Sequence, residues 1–99
     1  MSTNKATELY DLATKRGIEA VIRTDAFGEG DMHICTVYLP SGKRYEVKTL
    51  ATPRPTRTGQ LVTRMTNHAY IRKGAGRRIR WVMVSLVAVE REIQAEANR

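Results

Sequence analysis

Asp31, Glu46 and Lys48 are the residues whose types and spacing can do chemistry in this chain. Asp31 follows Gly28-Glu29-Gly30 and opens a largely apolar run from Met32 to Leu39. Pro40-Ser41-Gly42-Lys43 comes next, a hairpin signal between two β-rich runs, and then Arg44-Tyr45-Glu46-Val47-Lys48. Side chains two apart on a strand share a face, so Glu46 and Lys48 project together. The hairpin can fold Asp31 back beside them. Two carboxylates and an ammonium on one edge can hold a hard divalent cation and a water, the starting point of metal-assisted hydrolysis.

The elements that must position these groups follow from the patterning. Residues 3–16 read as a helix, with Thr3 or Asn4 as cap, an apolar stripe of Ala6, Leu9, Tyr10 and Ala13, and Gly17 just past its end. Glu8 lies beside that stripe. Residues 18–23 read as a strand, and 25–30 as a glycine-containing loop. The hairpin supplies strands over roughly 31–39 and 44–50. Ala51 to Gly59 reads as a loop rich in Pro, Thr and Arg, and Thr58 as the cap of a second helix to about Ala69, with Leu61, Val62, Met65 and Ala69 inward. Arg72 to Arg78 is a basic glycine loop. Ile79 to Val84 reads as a buried fourth strand, and Ser85 caps a last helix, 86–97, that buries Leu86, Val89 and Ile93. The order α-β-β-β-α-β-α predicts an α/β fold, a mixed four-stranded sheet flanked by helices, in a single domain over 1–99.

Composition sets the outer limits. With 99 residues and 41% hydrophobic, the chain can bury one modest core. No apolar run approaches a membrane span, and the first residues lack the apolar stretch of a secretory signal. A single cysteine, Cys35, excludes an internal disulfide and suits a reducing compartment; the location expected is cytoplasmic, in a bacterial or phage-infected cell. Its mid-strand position marks a packed core thiol. The formal charge of +7 favours a nucleic-acid partner. Trp81 reads as core, and His33 and His68 as structural or surface residues.

With these residues placed, the chain resembles the PD-(D/E)xK nuclease superfamily, closest to its stand-alone VRR-NUC domains and Holliday junction resolvases. The resemblance rests on a helix bearing Glu8, a strand, Gly28-Glu29-Gly30-Asp31, a turn, Glu46-Val47-Lys48, a polar loop and Gln60 opening a helix. It departs where the family's Pro-Asp is Gly30-Asp31, and where Arg64 stands in place of a tyrosine. The resemblance implies a restriction-endonuclease-like core and Mg²⁺-dependent cleavage of DNA, with Mn²⁺ able to substitute. Asp31 and Glu46 would bind the metal, with the Val47 carbonyl adding a ligand. Lys48 would orient the attacking water, Glu8 would hold a second metal or a metal-bound water, and Gln60 would steady Lys48 or a phosphate. Arg54, Arg57, Arg64, Lys73, Arg77 and Arg78 would contact DNA phosphates. Branched DNA as substrate and pairing as a homodimer are implied in the same way.

Two other readings start from the same residues. The first is a non-catalytic nucleic-acid-binding module. Residues 8–48 bear a faint likeness to a double-stranded-RNA-binding domain, which breaks at Pro53 and Pro55. The second is a small inhibitor of a host enzyme acting through charge alone. The first predicts binding that ignores EDTA; the second gives Glu46 and Lys48 no role.

Overall fold

The structure, a computed structural model, describes residues 3–97. Helix α1 spans Lys5–Lys15, followed by strands β1 (Glu19–Phe27), β2 (Gly30–Tyr38), β3 (Arg44–Pro55), β4 (Leu61–Lys73) and β5 (Arg80–Val84), and helix α2 spans Leu86–Ala97. A single 3₁₀ turn, Gly76–Arg78, sits between β4 and β5. The strands form one five-stranded sheet in the order β1-β2-β3-β4-β5. Every neighbouring pair is antiparallel. The sheet is therefore a plain meander, which needs only tight turns and no crossover helix.

Alternation along the strands decides which face is buried. Cys35 and Val37 of β2, Tyr45, Val47 and Thr49 of β3, and Ala69 of β4 are buried together. Ala6, Leu9 and Ala13 of α1 and Val89 and Ile93 of α2 join Cys35, Val37, Tyr45, Val47 and Ala69 in one core cluster. Both helices thus cover one side of the sheet. Val37, Val47, Val89 and Ile93 are completely buried, and removing such a side chain from water contributes about 1.5–3 kcal/mol.

Helix α1 is tied down at its first turn. Asn4 Oδ1 accepts from the Thr7 amide at 3.1 Å. Thr49 Oγ1 accepts from the Ala6 amide at 2.9 Å and donates to Asn67 Oδ1 at 2.6 Å. The same Asn67 oxygen accepts from the Lys5 amide at 3.1 Å. Three amides that a helix start leaves without partners are therefore satisfied, two of them by the sheet. Ser85 caps α2 by accepting from the Ala88 amide at 3.0 Å.

The largest departure from the sequence-based expectation is the segment 58–69, which is strand and not helix. Leu61, Val62, Met65 and Ala69 do fall at helical spacing, but Thr63, Thr66, Tyr70 and Ile71 around them favour extended backbone. The turn at Thr56–Gly59 then sends the chain straight back along β3: Thr56 N donates to Gln60 O at 2.8 Å and Gly59 N to Thr56 O at 3.0 Å. Residues 51–55, expected as loop, extend β3 and pair with β4 as far as Pro55 opposite Leu61. Pro53 and Pro55 are tolerated because β2 starts opposite Thr52, leaving β3 an edge beyond that point. The expected four-stranded mixed sheet is a five-stranded antiparallel one, and the last strand, Arg80–Val84, is largely exposed.

The loop expected over 25–30 is also shorter. β1 continues to Phe27, which pairs with Gly30 across the two residues Gly28 and Glu29. Gly28 has φ +59°, as the first central position of a type II′ hairpin turn requires. Gly30 is glycine for a different reason: a Cβ there would run into the backbone carbonyl of Ala51 on β3. Helices α1 and α2 and strands β2 and β5 lie close to where the patterning puts them.

Candidate nucleic-acid interface

The face of the sheet away from the helices is set by the same alternation. Tyr38 lies opposite Arg44, Thr36 opposite Glu46, and Ile34 opposite Lys48. Across the next ladder Glu46 meets Tyr70 and Lys48 meets His68, and beyond that Tyr70 meets Met83 and Arg72 meets Trp81. Arg44 falls one step past the Tyr45–Ile71 pair, level with Arg72. One row therefore reads Tyr38, Arg44, Arg72, Trp81, and the next Thr36, Glu46, Tyr70, Met83. Strands lie about 4.8 Å apart and same-face rows about 7 Å apart, so these side chains form one patch.

Contacts within the patch are specific. The Arg44 guanidinium sits 4.7 Å from the centre of the Tyr38 ring, and Lys48 Nζ 5.5 Å from that of Tyr70. Lys48 also pairs with Glu46 at 3.3 Å, and at the sheet edge Arg23 pairs with Asp25 at 3.4 Å. Ile34 is only 6% exposed although it points to this open side; its cross-strand neighbours Arg23 and Lys48 have the long aliphatic stems that cover apolar surface while keeping the charge in water. Trp81 is 40% and Met83 61% exposed. Among the described residues no acidic side chain pairs with Arg44, Arg54, Arg64 or Arg72.

Charge is distributed unevenly along the chain. Residues 19–84 hold twelve Lys and Arg against five Asp and Glu, a surplus of seven equal to the net charge of +7. The helices and the residues flanking them are nearly balanced, with Glu8, Asp11, Glu90, Glu92 and Glu96 against Lys5, Lys15, Arg16 and Arg91. Lys43 is drawn to the helix side by a hydrogen bond to Glu92 at 3.0 Å, which raises its pKa.

The residues expected to form a cation site are not brought together. Glu46 and Lys48 share a face, as their spacing requires, but Asp31 does not join them. Asp31 pairs with Ala51 while Glu46 pairs with Thr36. Asp31 is thus five residues farther along β2 and, by alternation, on the opposite face, about 17 Å away along the strand. One Mg²⁺ needs its oxygen ligands at about 2.0–2.1 Å. Val47 is buried in the middle of the sheet and paired on both sides, so its carbonyl belongs to the ladder. Glu8 is exposed on α1, across the sheet from Glu46, and pairs with Lys5 at 3.0 Å. Gln60 lies in the β3–β4 turn and starts no helix. Among the described residues no three His, Cys, Asp or Glu side chains gather where a metal could be held. Asp31, Glu46 and Glu8 do not converge on one Mg²⁺ or Mn²⁺, and the hydrolytic roles drawn for Asp31, Glu46, Lys48, Glu8 and Gln60 have no shared centre.

The basic residues singled out from the sequence divide between two ends of the sheet. Arg54 and Arg64 extend the open face along the β3–β4 ribbon, and Arg57 sits in the turn at its tip. Lys73 ends β4 opposite Arg80, and Arg77 and Arg78 lie in the 3₁₀ turn. The middle of the face, formed by Tyr38, Arg44, Tyr70, Arg72 and Trp81, was not anticipated. Its signal is the period-2 sequence His68, Tyr70, Arg72, hidden by reading those residues against a helix end. Trp81, expected in the core, is on the open side because Val82 and Val84 take the helix-side positions of β5. Cys35 is buried beneath the helices, and burial pushes its thiol up to about 12, so it is a core residue and not a nucleophile.

No family model matches the chain, and neither a curated protein nor a solved structure is significantly similar to it. Among the described residues no helix is long and apolar enough to cross a membrane.

Proposed function

We propose that this chain is a nucleic-acid-binding module that uses the open face of its sheet and performs no metal-dependent chemistry. The observation that carries the reading is a single uncovered surface that presents guanidinium groups without a carboxylate partner (Arg44, Arg72, Arg54 and Arg64) together with the rings of Tyr38, Tyr70 and Trp81. Guanidinium groups bind phosphate oxygens bidentately and release condensed counterions in doing so. The rings add sequence-tolerant contact to bases or sugars. The helices take no part in contact; they fix the sheet from behind.

The Glu46–Lys48 pair, which suggested catalysis, is an ion pair on this face. Its role is local: it removes one positive charge from the centre of the patch and orders Lys48 over Tyr70. The test is fluorescence anisotropy with labelled DNA and RNA oligonucleotides in EDTA and in Mg²⁺, followed by gel analysis of the same samples on linear, flap and four-way junction substrates. Binding unaffected by EDTA with intact substrate supports the reading. Cleavage that requires Mg²⁺ and is lost in Glu46→Ala contradicts it.

A further inference from the structure

We infer that the ligand of this face is single-stranded nucleic acid, with an unpaired base stacked on Trp81; this rests on the nucleic-acid reading above. Three features of the patch lead there. First, its aromatic groups sit on strands with rings available at the surface, and a ring takes up a base only if that base is free of a duplex stack. Trp81 is on the edge strand β5, 40% exposed, with Met83 beside it at 61%. Neither belongs to the core cluster.

Second, the row Tyr38, Arg44, Arg72, Trp81 sets two guanidinium groups between two rings along a line of about 14 Å, three strand spacings. Arg44 is already stacked on Tyr38 at 4.7 Å, and its plane offers a second platform to a base while its edge remains free for phosphate. Arg72 stands between the two platforms, where the backbone linking two stacked bases would pass. Third, the face carries no helix. Both helices lie on the other side, so no helix is presented to a major groove. Rings on the surface of a sheet stack on bases only where those bases are unpaired.

The chain has one tryptophan, so emission excited at the red edge of the protein band, where tyrosine does not absorb, reports this site. Titration with single-stranded dT20 and rU20 and with a 20-base-pair duplex, in EDTA, separates the possibilities. Saturable quenching of Trp81 by dT20 or rU20, with weaker binding of the duplex, supports the inference. Labelled-oligonucleotide anisotropy then measures the variants: Trp81→Ala weakens single-strand binding about tenfold, while Trp81→Phe, which keeps a stacking ring, stays within about twofold. Tighter binding of the duplex, with no change in Trp81 emission and no loss in Trp81→Ala, overturns the single-strand inference and leaves nucleic-acid binding standing. Failure to bind any of the three ligands overturns both. Circular dichroism of each variant confirms that a loss is not a loss of fold.

Discussion

Thr49 shows how much one buried hydroxyl can hold. Its oxygen accepts from the Ala6 amide and donates to Asn67, and Asn67 in turn takes the Lys5 amide and donates to the Thr3 carbonyl. Thr49→Val keeps the shape and strands the Ala6 amide away from water, so urea denaturation should report a loss of about 1–3 kcal/mol with an unchanged slope. Cys35 gives a second residue-scale prediction. Burial raises its pKa from 9.0 to about 12, so the folded state keeps the thiol neutral. The stability this contributes is complete below pH 9 and is lost as pH climbs from 9 towards 12, because there the unfolded chain sheds a proton that the folded chain retains. In denaturation at fixed pH values, Cys35→Ala should flatten that alkaline decline. At pH 8 iodoacetamide should label Cys35 only after unfolding. Residue spacing was informative where it was local: Glu46 and Lys48 do project together and pair. It failed for Asp31, because which face a residue takes relative to another strand depends on register, and the register places Asp31 opposite Ala51 and not near Glu46.

At the scale of elements, the two helices, the β2–β3 hairpin and β5 could be read from caps, turns and alternation, since each is specified by residues close in sequence. β4 could not. Its inward-facing Met65, Asn67, Ala69 and Ile71 follow a period of two, yet Leu61, Val62, Met65 and Ala69 also satisfy a helical stripe, and no local rule separates the two. The Thr56–Gly59 turn and the partner strand decide it. The row that joins Arg44 to Trp81 runs through β4, so it exists only when this segment is a strand. Gly30 offers an element-scale test of the β1–β2–β3 packing. A methyl group there collides with the Ala51 carbonyl, so Gly30→Ala should destabilise by about 1–3 kcal/mol in the same urea assay, as overpacked sites do.

For the whole molecule, the surplus of positive charge on the open face of the sheet, with Arg23, Arg44, Lys48, Arg54, Arg64 and Arg72 against Glu19, Asp25 and Glu46, is the property that bears on the proposed function. Long-range attraction from such a face raises association rates and fades with salt. Glu46 works against that field from its centre. Glu46→Gln should therefore bind labelled oligonucleotide more tightly, by about two- to fivefold at low salt. A metal-dependent nuclease would lose its activity through the same change. Affinity and Mg²⁺-dependent cleavage measured on the same samples separate the two accounts: tighter binding with no cleavage by either form supports the binding module, and cleavage by the wild type that Glu46→Gln loses supports the nuclease.

The claim that the open face is the binding surface is tested most directly by the salt dependence of affinity. Anisotropy titrations between 50 and 300 mM NaCl should give a linear fall of log K against log salt. Arg44→Ala with Arg72→Ala should reduce the steepness of that line by about two and weaken binding throughout, while Lys15→Ala with Arg16→Ala, an equal loss of charge on the helix side, should change it little. Equal effects from the two pairs would mean that net charge alone attracts the ligand, and would contradict the assignment of the sheet face as the site.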